Sequence, residues 1–133
     1  VIAQILGQAG LFIPAEAGSI RINKQLSIMY ATTESNETGG RFEQEVRAMS
    51  EVLNQLQAGD MVVLNEYFQS TTENECINIL YDIFTFFQTK NIYWIAVTNF
   101  QSIISKQEQL IKETSNKFKV LQTNTDYQIK ELN

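Results

Sequence analysis

Two apolar runs end in residues that can do chemistry. Met61-Val62-Val63-Leu64 is followed by Asn65 and Glu66, and the run over residues 92–97 is followed by Thr98 and Asn99. An apolar run without polar alternation predicts a strand covered on both faces, as in a parallel sheet. In open sheets of that kind, ligands bind at the carboxyl ends of the strands. A rigid strand ending in a carboxylate aims that acid into a crevice, and phosphoryl-transfer sites use such a group to hold Mg²⁺ and position water. Glu66 is the candidate acid on this reading. The plainer reading of the same residues is a turn, because Asp, Asn and Glu often end buried strands.

Composition removes most other chemistries. The chain has no His, which excludes Ser-His and Cys-His nucleophiles and the commonest metal ligand. Its single cysteine, Cys76, excludes an intrachain disulfide and a multi-cysteine zinc site. At 133 residues, 44% hydrophobic and 19% charged, the chain is one domain with enough apolar material for a core. A net charge of −5 argues against holding a polyphosphate by bulk charge. No apolar run approaches membrane-spanning length and no cleavable leader opens the chain, so a soluble, cytoplasmic domain without a membrane partner is expected. The chain opens on Val1, in what reads as the middle of an apolar segment, and a piece of a longer protein is expected.

The elements that must position Glu66 follow from periodicity. Residues 1–6 read as the buried tail of a helix ended by glycine. Pro14 marks a turn, and residues 20–22 and 26–30 are short β-like runs. Residues 32–40 (TTESNETGG) form a polar loop. From Arg41 the period changes: Phe42, Val46, Met49, Val52, Leu53 and Leu56 define one helix face, closed by Gly59. Residues 73–90 place Cys76, Ile77, Ile79, Leu80, Ile83, Phe84 and Phe87 at helical spacing. Strand, helix, strand at these lengths is a βαβ unit. Residues 101–113 read as a helix with a solvated face. Residues 119–121 and 127–129 flank Asn124-Thr125-Asp126, the turn of a closing hairpin.

Four segments, in order across residues 1–100, carry a resemblance. Gln8-Ala9-Gly10-Leu11-Phe12-Ile13-Pro14-Ala15 resembles the Q-x-G-x-[YF]-[VI]-P-A segment of the MutS family of mismatch-repair ATPases. Gly39-Gly40-Arg41-Phe42-Glu43-Gln44-Glu45 is similar to that family's signature loop, G-R-S-T-F-x-x-E. Residues 61–72 (MVVLNEYFQSTT) resemble its Walker B strand and D-loop, hhhhDE-x-G-x-G-T-S, and residues 96–100 (AVTNF) its A-T-H-[YF] switch. The resemblance implies an α/β fold, an ABC-type P-loop NTPase with a largely parallel sheet flanked by helices, of which residues 1–133 are a part. It also implies a homodimer that sandwiches Mg·ATP between one protomer's phosphate loop and the other's signature loop, with DNA held by other domains.

Residue by residue, the resemblance gives Glu66 the role of polarising the attacking water and Asn65 that of the Mg²⁺-holding aspartate. Glu45, Gly39 and Gly40 fall on the signature loop, and Ser70, Thr71 and Thr72 on the D-loop. Asn99 falls on the switch histidine, and Gln8 lies near the phosphate loop. Three of these depart from the pattern. Asn65 lacks the charge of Asp, Gly40 lacks a serine hydroxyl, and Asn99 cannot carry a proton near neutral pH. Arg41 adds a cation that faces either phosphate or solvent. No G-x-x-x-x-G-K-[ST] occurs in the 133 residues, so a phosphate loop is expected upstream of Val1 and the chain as given should bind ATP poorly.

Other features have plain explanations. Cys76, Phe84, Phe86, Phe87 and Trp94 read as core and rim packing, and Lys106, Lys112, Lys117 and Lys119 as a solvated face rather than a DNA-binding patch. Two functions follow. One is the carboxyl-terminal part of a MutS-like DNA mismatch repair ATPase, hydrolysing ATP across a dimer to control DNA binding. The other is a catalytically degenerate nucleotide-sensing or dimerisation module. Retention of Glu66 and Glu45 favours the first.

Overall fold

The structure, a computed structural model, describes residues 1–31, 40–106, 119–123 and 128–131. The residues of the loop before Gly40, Gly39 among them, and the hairpin turn lie outside that set, as does the part beyond Lys106 of the helix expected over residues 101–113.

Helix α1 (Ile2–Gln8) leads through an irregular segment to strand β1 (Leu26–Tyr30), followed by helix α2 (Arg41–Gln55) and strand β2 (Met61–Asn65). Helix α3 (Glu73–Thr89), strand β3 (Tyr93–Val97) and a short 3₁₀ turn (Gln101–Lys106) come next, then strands β4 (Leu121–Thr123) and β5 (Ile129–Glu131). β1, β2 and β3 form a parallel sheet in that order, so β2 is central. In register, Met29, Leu64 and Ala96 share one row, and Ile28, Val63 and Ile95 the next. β4 and β5 pair antiparallel as the expected hairpin, with the strands a residue or two later than the sequence suggests.

α3 follows its expected face, burying Cys76, Ile77, Leu80, Ile83, Phe84 and Phe87. α2 follows its own in part: Met49 is buried and Phe42, Val52, Leu53 and Leu56 are half-buried, but Val46 is exposed and the neighbouring Glu45 is buried instead. Phe84 stacks on Trp94 with ring centroids 4.1 Å apart, which locks α3 onto β3. Burying a Phe or Leu side chain contributes about 1.5–3 kcal/mol each, and the core of Val62, Leu64, Leu80, Phe84 and Phe87 is the main cohesive element. α3 begins well: Thr72 accepts from the Glu75 amide, and Glu73 and Glu75 sit in the first turn, where the helix dipole favours acids.

Three further expectations are corrected. β2 is covered on both faces, with Val62, Val63 and Leu64 all buried, but β3 is not: Tyr93, Ile95 and Val97 are exposed while Trp94 and Ala96 face α3. The reason is position, since β3 is an outer strand of this sheet and its second face lacks a covering element among the described residues. Residues 2–6 do lie in a helix, but α1 runs on past Gly7 to Gln8 and buries none of its residues. Residues 20–22 form no strand; Ile20 instead packs against α1, within 2.3 Å of where a Cβ on Gly7 would stand. No described helix is long and apolar enough to cross a membrane.

Candidate functional site

The candidate residues gather at the carboxyl end of β2. Asn65 is its last residue, half-buried, flanked in register by Tyr30 and Val97. Glu66 follows, its N–H donating to the Val97 carbonyl at 2.9 Å, which fixes it between the ends of β2 and β3. Its side chain is exposed, and the carboxylate has no partner among the described residues.

The backbone here is unusual. Glu66 has φ +51° and Phe68 φ +63°, the left-handed region that L residues visit at a cost of roughly 1–3 kcal/mol each. The effect is a corkscrew that turns Glu66 out to solvent and Tyr67 and Phe68 into the core, where both are buried. Edge-on ring contacts hold them: Tyr67 to Phe68 at 4.8 Å and Phe42 to Phe68 at 6.1 Å. Burial of two rings offsets the strain and leaves the acid presented. Phe68 stands where the family pattern has its first glycine after the acid, so this chain reaches a glycine-like conformation through packing.

A second carboxylate braces the same loop from below. Glu45 on α2 is 2% exposed. Its Oε2 accepts from Ser70 Oγ at 2.7 Å and its Oε1 pairs with Arg41 Nε at 3.3 Å. Its backbone carbonyl accepts from the Tyr67 hydroxyl at 3.0 Å. Burial, and then the Glu45 charge, push the Tyr67 phenol up to about 12, so it remains a donor at neutral pH. Cys76 lies beneath, wholly buried, its thiol pushed up to about 11 first by desolvation and then by the charges of Glu45 and Glu73. That thiol is chemically quiet near neutrality.

The remaining candidates divide. Asn99 is tied into the cluster, its Oδ1 accepting from Gln69 Nε2 at 3.2 Å, and Thr98 and Asn99 help line a groove of about 950 Å³ between β3 and the hairpin. Gly40 caps α2, and no atom of the described residues lies within 4 Å of where a Cβ would stand. Thr71 and Thr72 serve the start of α3, their hydroxyls both donating to Glu75 and holding its carboxyl below the ordinary range, Thr71 most. Gln8 sits elsewhere. Its Oε1 accepts from Gln4 Nε2, Asn23 N and Asn23 Nδ2, and Asn23 touches Met61 Sδ at the amino end of β2. A strand of five residues, about 13 Å from first to last, separates that position from Glu66.

Sequence reasoning did not find the Glu45–Ser70 bond, the Tyr67 hydroxyl or the left-handed turn. It weighed Arg41 toward phosphate or solvent; the structure pairs it with Glu45. A signal was present only in part: an apolar Tyr67-Phe68 pair directly after an acid at a strand end.

Chemically, the arrangement is one exposed carboxylate and one carboxamide, side by side at the end of a buried parallel strand, above a loop whose position is set by hydrogen bonds. Among the described residues there is no group of three His, Cys, Asp or Glu side chains that could hold a metal ion. The donor set suits Mg²⁺ delivered by a substrate's phosphates, which needs only one or two protein oxygens.

Comparison with known proteins bears on the family. A family model described as MutS domain V matches residues 1–132. The chain is 26% identical over 100 residues to the human MutS protein homolog 4, a match covering 74% of this chain and 11% of that relative's length.

Proposed function

This chain belongs to the MutS domain V family, and we propose from that premise that it is part of a MutS-like mismatch repair ATPase of ABC-type P-loop fold, hydrolysing Mg·ATP at a dimer interface to control DNA held by other domains. The observation that carries the reading is Glu66: a carboxylate turned outward, without a partner among the described residues, at the end of a doubly covered central strand, with its amide pinned to Val97. Such a group activates water by accepting its proton as the water oxygen bonds the γ-phosphorus and the bond to the ADP oxygen breaks. Asn65 would hold Mg²⁺, either directly or through water, and the ion when bound would neutralise charge on the phosphates. Gly40 offers backbone N–H groups to a phosphate, with no atom of the described residues within 4 Å of where its Cβ would stand. No G-x-x-x-x-G-K-[ST] stands in these 133 residues, so this reading requires the lysine and backbone cradle of a phosphate loop from outside them.

The test is turnover by the complete natural protein and its Glu66→Gln variant. General-base loss predicts a fall in kcat of about 10²–10⁴-fold with nucleotide binding retained. Equal turnover in the two proteins would remove Glu66 from this role. A second reading, a nucleotide-sensing or dimerising module without catalysis, is favoured by the use of Asn99 in a contact with Gln69 and by Asn65 at the metal position. It requires ATP-dependent association with negligible hydrolysis in both proteins.

A further inference from the structure

Glu45 is the unusual group the hydrolysis reading does not use. It is buried 22 and 25 residues away in sequence from the two groups that bind it, Tyr67 and Ser70, and both of these flank the loop that carries Glu66. On its own helix it sits one turn beyond Gly40 and pairs with Arg41. One residue thus joins the start of α2 to the loop after β2, through its carboxylate and its carbonyl together. The Ser70 contact is a charge-assisted bond of 2.7 Å, and the loop it holds contains two left-handed residues. Such a loop has a strained conformation that a small number of contacts maintain.

We propose that Glu45, Tyr67 and Ser70 form a latch through which the position of residues 40–41 sets the position of Glu66, with Ser70 as its positioning residue. The inference rests on the reading of Glu66 as the group that activates water, and deepens it. A ligand that displaces the Gly40–Arg41 turn shifts Glu45, and the 66–72 loop moves with it. Ser70 is the place to break the latch, because its side chain reaches Glu45 from the exposed surface and its loss leaves no cavity in the core.

The experiment compares the complete natural protein with its Ser70→Ala, Ser70→Thr, Glu45→Gln and Glu66→Gln variants by steady-state ATP hydrolysis, fluorescent nucleotide binding and amide hydrogen exchange over residues 40–46 and 66–72. Ser70→Ala is expected to lower kcat roughly tenfold through misplacement of Glu66, to leave nucleotide affinity unchanged, and to speed exchange in both segments. Ser70→Thr, which keeps the hydroxyl, restores kcat and the slow exchange of both segments, with affinity again unchanged. Exchange that changes around residue 70 alone overturns the latch, as does unchanged kcat in Ser70→Ala where Glu66→Gln is dead. If the unaltered protein hydrolyses no ATP, the ATPase reading fails separately, and coupled exchange in the two segments decides the latch by itself. Should Glu45→Gln fold poorly, the alanine and threonine pair at Ser70 carries the result.

Discussion

Among the described residues two carboxylates are buried, both 2% exposed, and they are satisfied in opposite ways. Asp60, at the amino end of the sheet, accepts from two backbone amides: Gln57 N at 2.7 Å and Gln25 N at 3.2 Å. Around it the backbone is equally fixed, with Tyr93 N donating to the Asp60 carbonyl and Gly59 N to that of Asn91. Glu45, near the carboxyl end, is held instead by the side chains of Arg41 and Ser70. Backbone donors cannot leave without unfolding the segment that carries them, whereas side-chain donors can change rotamer. One end of the sheet is therefore clamped and the other adjustable. Ligand sites of parallel sheets lie at the carboxyl ends, and the adjustable carboxylate is at that end here.

The sharpest way to break this contrast is Asp60→Ala. It orphans two backbone amides in a partly buried turn, at a cost of about 2–3 kcal/mol. Hydrogen exchange at Gln25, Gln57 and Tyr93 should quicken accordingly, and the effect should spread along β1 and β3 because Asp60 ties both to the start of β2. If only the Gln57 turn loosens, the clamp is local and the contrast fails.

Glu45→Gln is the matching test at the other end, with a smaller effect of about 1–2 kcal/mol. The amide oxygen still accepts from Ser70, but the ion pair to Arg41 is lost, and Arg41 is 40% exposed at its side chain, so solvent screens much of that term. Loosening should be confined to residues 40–46 and 66–72, with the β1–β2–β3 ladder unaffected. Exchange that quickens throughout the sheet would show Glu45 to be a second clamp.

The contrast also separates what could be read from the sequence from what could not. Leu26–Tyr30, Met61–Asn65 and the two long helices were legible because apolar period reports burial directly. Glu66 was legible as the residue after a buried run. The exposed face of β3 was not, since Ile95 and Val97 look the same whether or not another element covers them. The Glu45–Ser70 bond joins positions 25 apart and depends on a rotamer, and no local pattern encodes that. Left-handed Glu66 and Phe68 were hidden for a similar reason. Glycine is the usual mark of such a turn, and here tertiary packing of Phe68 against Phe42 and Tyr67 replaces it.

The smallest effect offers the cleanest measurement. Tyr67 is neutral in the fold and donates to the Glu45 carbonyl, with its phenol raised from 10.0 to about 12. A folded-state value above the unfolded one means that the neutral phenol is the favoured form. Its stabilisation is therefore complete below pH 10 and is lost as the pH rises toward about 12. Tyr67→Phe keeps the ring and removes the hydroxyl, costing about 1 kcal/mol. Subtracting the alkaline absorbance titration of that variant from the unaltered protein isolates one tyrosine of the chain's five. A difference curve centred near 12 shows the phenol held beneath the loop, on the adjustable side of the sheet. One centred near 10 shows it open to water, so that Tyr67 no longer ties Glu45 to the loop and only Ser70 spans the gap. In that case Glu45 reaches the loop by one hydrogen bond rather than two, and Ser70→Ala should quicken exchange over residues 66–72 while the buried Tyr67 and Phe68 rings still anchor the loop.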